Sequence, residues 1–142
     1  MRDKVILTDC EVKVDDVLNQ LSRSEECGAL VIFIGNVKGL NDGKRIHELV
    51  IEMDTDVVYE VLSKLREDTI RRYDIQDLVV AHREGVLNVG DNIVVIAVLS
   101  RHREEGFEAC KYFINELKHL APIWKLEKRE DGAHWVGSEW LR

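Results

Sequence analysis

Apolar residues recur along the chain with two periods, and the change from one to the other marks its elements. Val14, Val17, Leu18 and Leu21 fall at i, i+3, i+4 and i+7, the spacing of one helix face, with Asp15 and Asp16 near its positive N-terminal end. After Gly28 comes the continuous run Ala29-Leu-Val-Ile-Phe-Ile34, which reads as a buried central strand. Residues 35–43 are rich in turn formers. Arg45 to Met53 then alternates apolar with charged positions, as a half-exposed strand does. Asp54 or Asp56 can cap a helix whose stripe is Val58, Val61, Leu62, Leu65, Thr69 and Ile70 and which ends near Tyr73. Asp77 to Arg83 and Asn92 to Ser100 read as strands joined by residues 84–91. The spacing predicts a last helix from about Glu104 to Leu120, with Phe107, Cys110, Ile114, Leu117 and Ala121 buried; Pro122 stops it. Ile123 to Arg129, the turn Glu130-Asp131-Gly132 and Ala133 to Val136 read as a terminal hairpin.

With the short apolar run Val5 to Leu7 at the start, the order is β-α-β-β-α-β-β-α-β-β. That order lacks the regular alternation of a doubly wound sheet, so the expected fold is α+β, a mostly antiparallel sheet with three helices. Proline occurs once and no linker interrupts the pattern, so residues 1–142 are expected to form a single domain. With 45% hydrophobic and 33% charged residues, the composition is that of a globular chain with a real core. The longest apolar run is a third of a membrane span, and Val5 to Leu7 is too brief for a signal sequence. Cys10, Cys27 and Cys110 form no C-x-x-C pair and have no metal-ligand spacing with the five histidines. The expectation is a soluble, reduced, cytoplasmic protein without a metal, a cofactor or a membrane contact.

Charge is unevenly spread. The net charge of −7 argues against a non-specific nucleic-acid binder, which would need a Lys/Arg excess to neutralise phosphates. Yet residues 101–129 carry a net +2, against −7 for residues 1–100 and −2 for 130–142. This basic stretch holds Ser100-Arg101-His102-Arg103 at one end of the last helix. Lys118-His119-Leu120-Ala121-Pro122-Ile123-Trp124-Lys125-Leu126-Glu127 lies at the other. A strand feeding a helix N-terminus is an anion site when Arg and His charges add to the unpaired N–H groups; the plainer reading is solvated loop charge. If the chain reverses at Pro122, Lys118 and Lys125 face one cleft, and each lowers the other's pKa by repulsion. A lysine brought toward neutrality serves as acid, base or nucleophile; otherwise the pair is surface charge whose stems cover Leu117 and Trp124. Glu127 shares a strand face with Lys125 and can orient it, or form an exposed ion pair of little weight. Lys38, in the glycine-bearing loop 35–43, can hold an anion, although no P-loop motif is present. Cys110 lies on the apolar stripe, which favours a core role over a nucleophile.

Taken in order, four segments resemble the large, catalytic subunit of molybdopterin synthase, the MoaE family. They are Gly-Ala-Leu-Val-Ile-Phe-Ile-Gly-Asn-Val-Lys (28–38); His82-Arg83-Glu84-Gly85 with Gly90-Asp91; Ser100-Arg101-His102-Arg103 with Phe107-Glu108-Ala109; and Leu117-Lys118 through Ala121-Pro122-Ile123-Trp124-Lys125-Leu126-Glu127. The resemblance implies an α/β-hammerhead fold and an enzyme that inserts two dithiolene sulfurs into cyclic pyranopterin monophosphate. It implies a small ubiquitin-like sulfur-carrier subunit whose C-terminal Gly-Gly thiocarboxylate enters the cleft, and a homodimer carrying one such subunit at each end. It also implies that Lys118 and Lys125 are the catalytic lysines, and that Lys38, His102, Arg103 and Glu127 bind substrate. On this reading the two lysines and Arg103 converge on one pocket. The sequence departs from the family pattern at Lys38, where Arg is usual, at Met53-Asp54-Thr55-Asp56 in place of an aromatic residue and a Pro/Gly turn, and in the short tail after Trp140. The competing reading is a non-catalytic, anion-binding scaffold subunit that keeps the fold and the partner groove. An unrelated phosphate-ester enzyme would require a nucleophile or metal site that the sequence does not offer.

Overall fold

The last helix and the strand before it set the position of everything else, and a computed structural model describes both within residues 3–136; the tail after Trp140 lies outside them. In chain order the elements are β1 (Val5–Thr8), α1 (Val14–Leu18), β2 (Ala29–Asn36), β3 (Leu40–Asn41), β4 (Lys44–Met53) and α2 (Thr55–Tyr73). They continue with β5 (Asp77–Arg83), β6 (Gly85–Asn88), β7 (Asn92–Ser100), α3 (Arg103–Leu120), β8 (Ile123–Arg129) and β9 (Gly132–Val136). The fold is α+β, as expected. Two short strands fall where the sequence shows turn-rich connections: β3, within 35–43, and β6, within 84–91. Neither is long enough to display a period of two.

One sheet has the order β1-β5-β7-β2, antiparallel except for the β1–β5 pair. Strands β5 and β7 are apolar on both faces because both faces are covered. Leu78, Val80, Val94, Ile96 and Val98 pack under α2 and α3, whereas Val79, Ala81, Val95, Ala97 and Leu99 pack under α1. The second sheet runs β3-β4-β8-β9, with β6 also paired to β4. Leu49, Ile51 and Leu87 carry its inner face into the same core as α2 and α3. Among the described residues no helix is long and apolar enough to cross a membrane.

Helix α2 starts where Asp54 caps it, its carboxylate accepting from the Val57 N–H at 3.3 Å. The unusual Met53-Asp54-Thr55-Asp56 segment is therefore the junction from strand to helix, with Met53 still paired to Ile123. Helix α1 is shorter than its apolar spacing suggests, ending at Leu18, although Leu21 remains buried beyond it. Helix α3 is rotated relative to the expected stripe. Phe107 is 60% exposed, and the buried positions are Gly106, Ala109, Cys110, Phe113 and Leu117. Small residues at 106 and 109 let the first turns of the helix lie close on the sheet, and this turns Phe107 outward. A methyl group at position 106 would sit 2.6 Å from Ser100 Oγ and 3.0 Å from Val31 Cγ2. The Ser100 hydroxyl is not free to retreat, because it donates to the His102 carbonyl at 2.6 Å.

Gly106→Ala adds about 1 kcal/mol of helix propensity but overpacks a rigid contact at 2.6 Å, which costs the upper part of the usual range, about 2–3 kcal/mol. The variant should lose about 1–2 kcal/mol in urea unfolding. An unchanged or raised midpoint would show that α3 does not press on Ser100.

Candidate active site

Between the C-terminal turns of α3, the ends of β2, β5 and β7, and the inner face of the second sheet lies a cavity of about 380 Å³. Apolar side chains from the first sheet and α3, including Phe33, Val94, Ile114 and Leu117, form one side of its lining. Four of the six site residues expected from sequence line it: Lys38, Lys118, Lys125 and Glu127. His82 and Asn41 join them.

The lysines converge for reasons visible in the chain. Leu117 is buried and Lys118 follows it on the helix, so Lys118 is exposed at the edge of the apolar stripe. The chain leaves α3 at Ala121, whose N–H donates to Leu117 O at 3.1 Å, and returns as β8, antiparallel to β4, with Lys125 opposite Ile51. Lys125 and Glu127 share a strand face, and both point to the cavity. Lys38 sits between two pinned residues. The Val37 N–H donates to Asp91 O, Val37 O accepts from the Gly90 N–H, and Gly39 O accepts from the Ile46 N–H. Lys38 and Lys118 are exposed at the rim, Lys125 is half-buried, and His82 and Glu127 are buried.

Burial and then repulsion from Lys118 push the Lys125 pKa down, as the sequence suggests for two lysines in one cleft. Glu127 does not act on Lys125 as expected. Its oxygens accept from Arg129 Nε at 2.7 Å and from Asn41 Nδ2 at 3.1 Å, and among the described residues no ion pair joins it to Lys125. A carboxylate already holding two donors of the wall braces β3 against β8.

His102 and Arg103 stand elsewhere. They are exposed at the first turn of α3, beside Glu105 and Glu104, at 3.7 Å and 4.0 Å respectively. Fifteen residues at 1.5 Å per residue place Arg103 about 22 Å along the axis from Lys118. Within one chain, Arg103 therefore does not converge with the lysines. Their neighbour Arg101 is tied to Asp74 at 3.1 Å and Glu26 at 3.3 Å.

His82 escaped the sequence reading as a site residue. Its signal was parity: it continues the Leu78, Val80 face of β5 to the strand end that meets the cavity. Its ring is 1% exposed; burial, then the Lys125 charge, push its pKa down to about 4 despite a backbone contact that opposes the shift. Cys110 is not a nucleophile here, since burial pushes its thiol up to about 11.

The MoaE protein family matches residues 7–120. The molybdopterin synthase catalytic subunit of Pyrococcus abyssi is 34% identical over 116 residues, covering 82% of this chain and 78% of that protein. Molybdopterin synthase from Staphylococcus aureus superposes with a TM-score of 0.87 at 26% identity, over 95% of this chain and 98% of the other. A chain from the complex of subunits 1 and 2 of molybdopterin-converting factor of Helicobacter pylori shares the fold, with a TM-score of 0.73 at 20% identity, over 96% of this chain and 90% of its own.

The two shifted groups make separate predictions. Lys118→Met removes the like charge, so the Lys125 amine should titrate at higher pH, followed by its rate of acylation against pH; an unchanged titration would refute the coupling. For His82, the unfolded ring titrates near 6.5 and the folded ring near 4, so between these values the unfolded chain binds more protons and stability falls as pH falls. From pH 7 to 4.5 the wild type should lose about 2–3 kcal/mol more than His82→Gln in urea unfolding. Equal losses would show that His82 is not held neutral.

Proposed function

The chain belongs to the MoaE family, the catalytic subunits of molybdopterin synthase, and on that premise we propose that it converts cyclic pyranopterin monophosphate to molybdopterin as a sulfurtransferase. Two small ubiquitin-like subunits in succession supply the dithiolene sulfurs, each bringing one sulfur as a C-terminal thiocarboxylate and leaving as the carboxylate. The observation that carries this reading is the convergence of Lys38, Lys118 and Lys125 on one cavity whose inner wall is largely apolar. A phosphate-bearing heterocycle needs both cationic groups and an apolar surface, and a sulfur donor brought by a partner needs no cysteine nucleophile in the chain.

The division of labour follows from depth. Lys38 and Lys118 at the rim meet the phosphate and the incoming carboxyl-derived group. Lys125, half-buried and with its pKa depressed, gives up and recovers a proton more readily than a free lysine. As sulfur replaces oxygen on the substrate, negative charge develops on the departing oxygen, and the two ammonium groups beside the apolar wall stabilise it. Glu127 holds the wall through Asn41 and Arg129 rather than touching the reacting atoms.

His102 and Arg103 match family positions assigned to substrate, but in one chain they lie far from this cleft. Both facts are met by a homodimer in which these side chains from one copy complete the cleft of the other. The chain acts as one domain, and we assign the reaction to the cytoplasm, in keeping with three unpaired cysteines.

The test is reconstitution with cyclic pyranopterin monophosphate and a thiocarboxylated small subunit, with dithiolene product as readout. Wild type should form product, and Lys118→Ala and Lys125→Ala should each slow it by about 100-fold or more. Product formed undiminished by both variants overturns the assignment. Substrate binding without product in the wild type would favour the scaffold reading.

A further inference from the structure

The mechanism above makes no use of His82, although its ring forms part of the cleft wall. Its Nδ1 lies 2.9 Å from the carbonyl oxygen of Arg83. A carbonyl only accepts, so Nδ1 carries the proton and donates. Burial and the nearby Lys125 charge keep the ring neutral, its pKa down to about 4, so Nε2 presents an unprotonated lone pair. Among the described residues no side chain or backbone group donates to Nε2, and it is not among the side-chain nitrogens sealed from open volume without a partner. The ring cannot swing away, because it is 1% exposed and anchored to its own strand.

A fixed acceptor at the buried end of a cleft with ammonium groups at its rim has a definite complement. It repels a phosphate oxygen and pairs with an N–H or O–H of the ligand. Glu127, the acidic residue of the wall, is already engaged by Asn41 and Arg129 and does not compete for that donor.

We propose that His82 is a specificity-determining residue whose Nε2 accepts a hydrogen bond from a ring N–H of the bound pterin, setting the heterocycle inward and its phosphate toward Lys38 and Lys118. This rests on the pterin substrate assigned above. It gives the cleft a polarity that charge alone does not, since three lysines would accept the anion in several orientations.

The experiment compares wild type, His82→Leu and His82→Gln, the last of which can place an amide oxygen near the position of Nε2. Calorimetry measures binding of cyclic pyranopterin monophosphate and, separately, of inorganic phosphate; steady-state assays give KM and kcat. His82→Leu should weaken pterin binding by about 5- to 100-fold, the effect of leaving a ligand donor unpaired. It should raise KM more than it lowers kcat and leave phosphate binding within about twofold. His82→Gln should recover most of the pterin affinity. Should His82→Leu fail to fold, His82→Met provides the same comparison. Unchanged pterin binding in the apolar variant, equal loss of pterin and phosphate, or failure of Gln to differ from it would each overturn the role of His82. If wild type itself does not bind the pterin, the function proposed above falls and this role falls with it. If only the His82 arms disagree while the Lys118 and Lys125 variants lose product, that function stands and this inference alone is overturned.

Discussion

Strands β5 and β7 are buried on both faces, so a slip of one residue in their pairing would exchange the side chains beneath α1 for those beneath α2 and α3. The register is therefore fixed by packing on both sides, and the ends of the strands inherit that precision. His82 sits opposite Val94 at one end, against the cavity, while Ser100 at the other receives the first turns of α3 through Gly106. Helix α3 lies where Gly106 and Ala109 allow, and its far end delivers Lys118 and the reversal into β8. Lys125 and the floor of the cleft are thus positioned by a contact made about three turns before Lys118.

The electrostatics of the cleft oppose those of the chain as a whole. A protein of net charge −7 does not attract an anionic substrate at long range, so the local cations must act at close quarters, within about 8–10 Å at physiological salt. Placing them against an apolar wall strengthens each interaction and raises the cost of leaving the site empty of counter-charge. Lys125 shows that cost directly, in a pKa pushed down first by burial and second by its neighbour. Glu127 does not relieve it, because Arg129 and Asn41 already occupy its oxygens.

Long elements were legible in the sequence because each has one buried face with a clear period: the helix after Asp54, the strands around residues 77–83 and 92–100, and the hairpin after Pro122. The face of α3 was misread at Phe107 because hydrophobic size predicts burial, whereas here two small residues set the approach of the helix. Strands β3 and β6 were missed because two to four residues carry no period. In the site, adjacency to Pro122 made the two lysines readable as a pair, and family spacing pointed to Lys38. Glu127 was found but given the wrong neighbour, since its partner Asn41 is 86 residues away in sequence. His102 and Arg103 stand at the start of the helix that carries Lys118, and only the length of that helix reveals that within one chain they lie far from its pocket.

The backbone around Lys38 is tethered on both sides, at Val37 and at Gly39, while its side chain is exposed at the rim. Capture of an anion there calls for choosing a rotamer of one long side chain rather than for folding a loop. Its entropic cost is that of a single lysine, about 2 kcal/mol at most, and the movement belongs to the picosecond-to-nanosecond range of exposed side chains. On the function proposed above, entry to the cleft is then set by diffusion of the substrate and arrival of the partner subunit, with no slower rearrangement of residues 37–39 in the way.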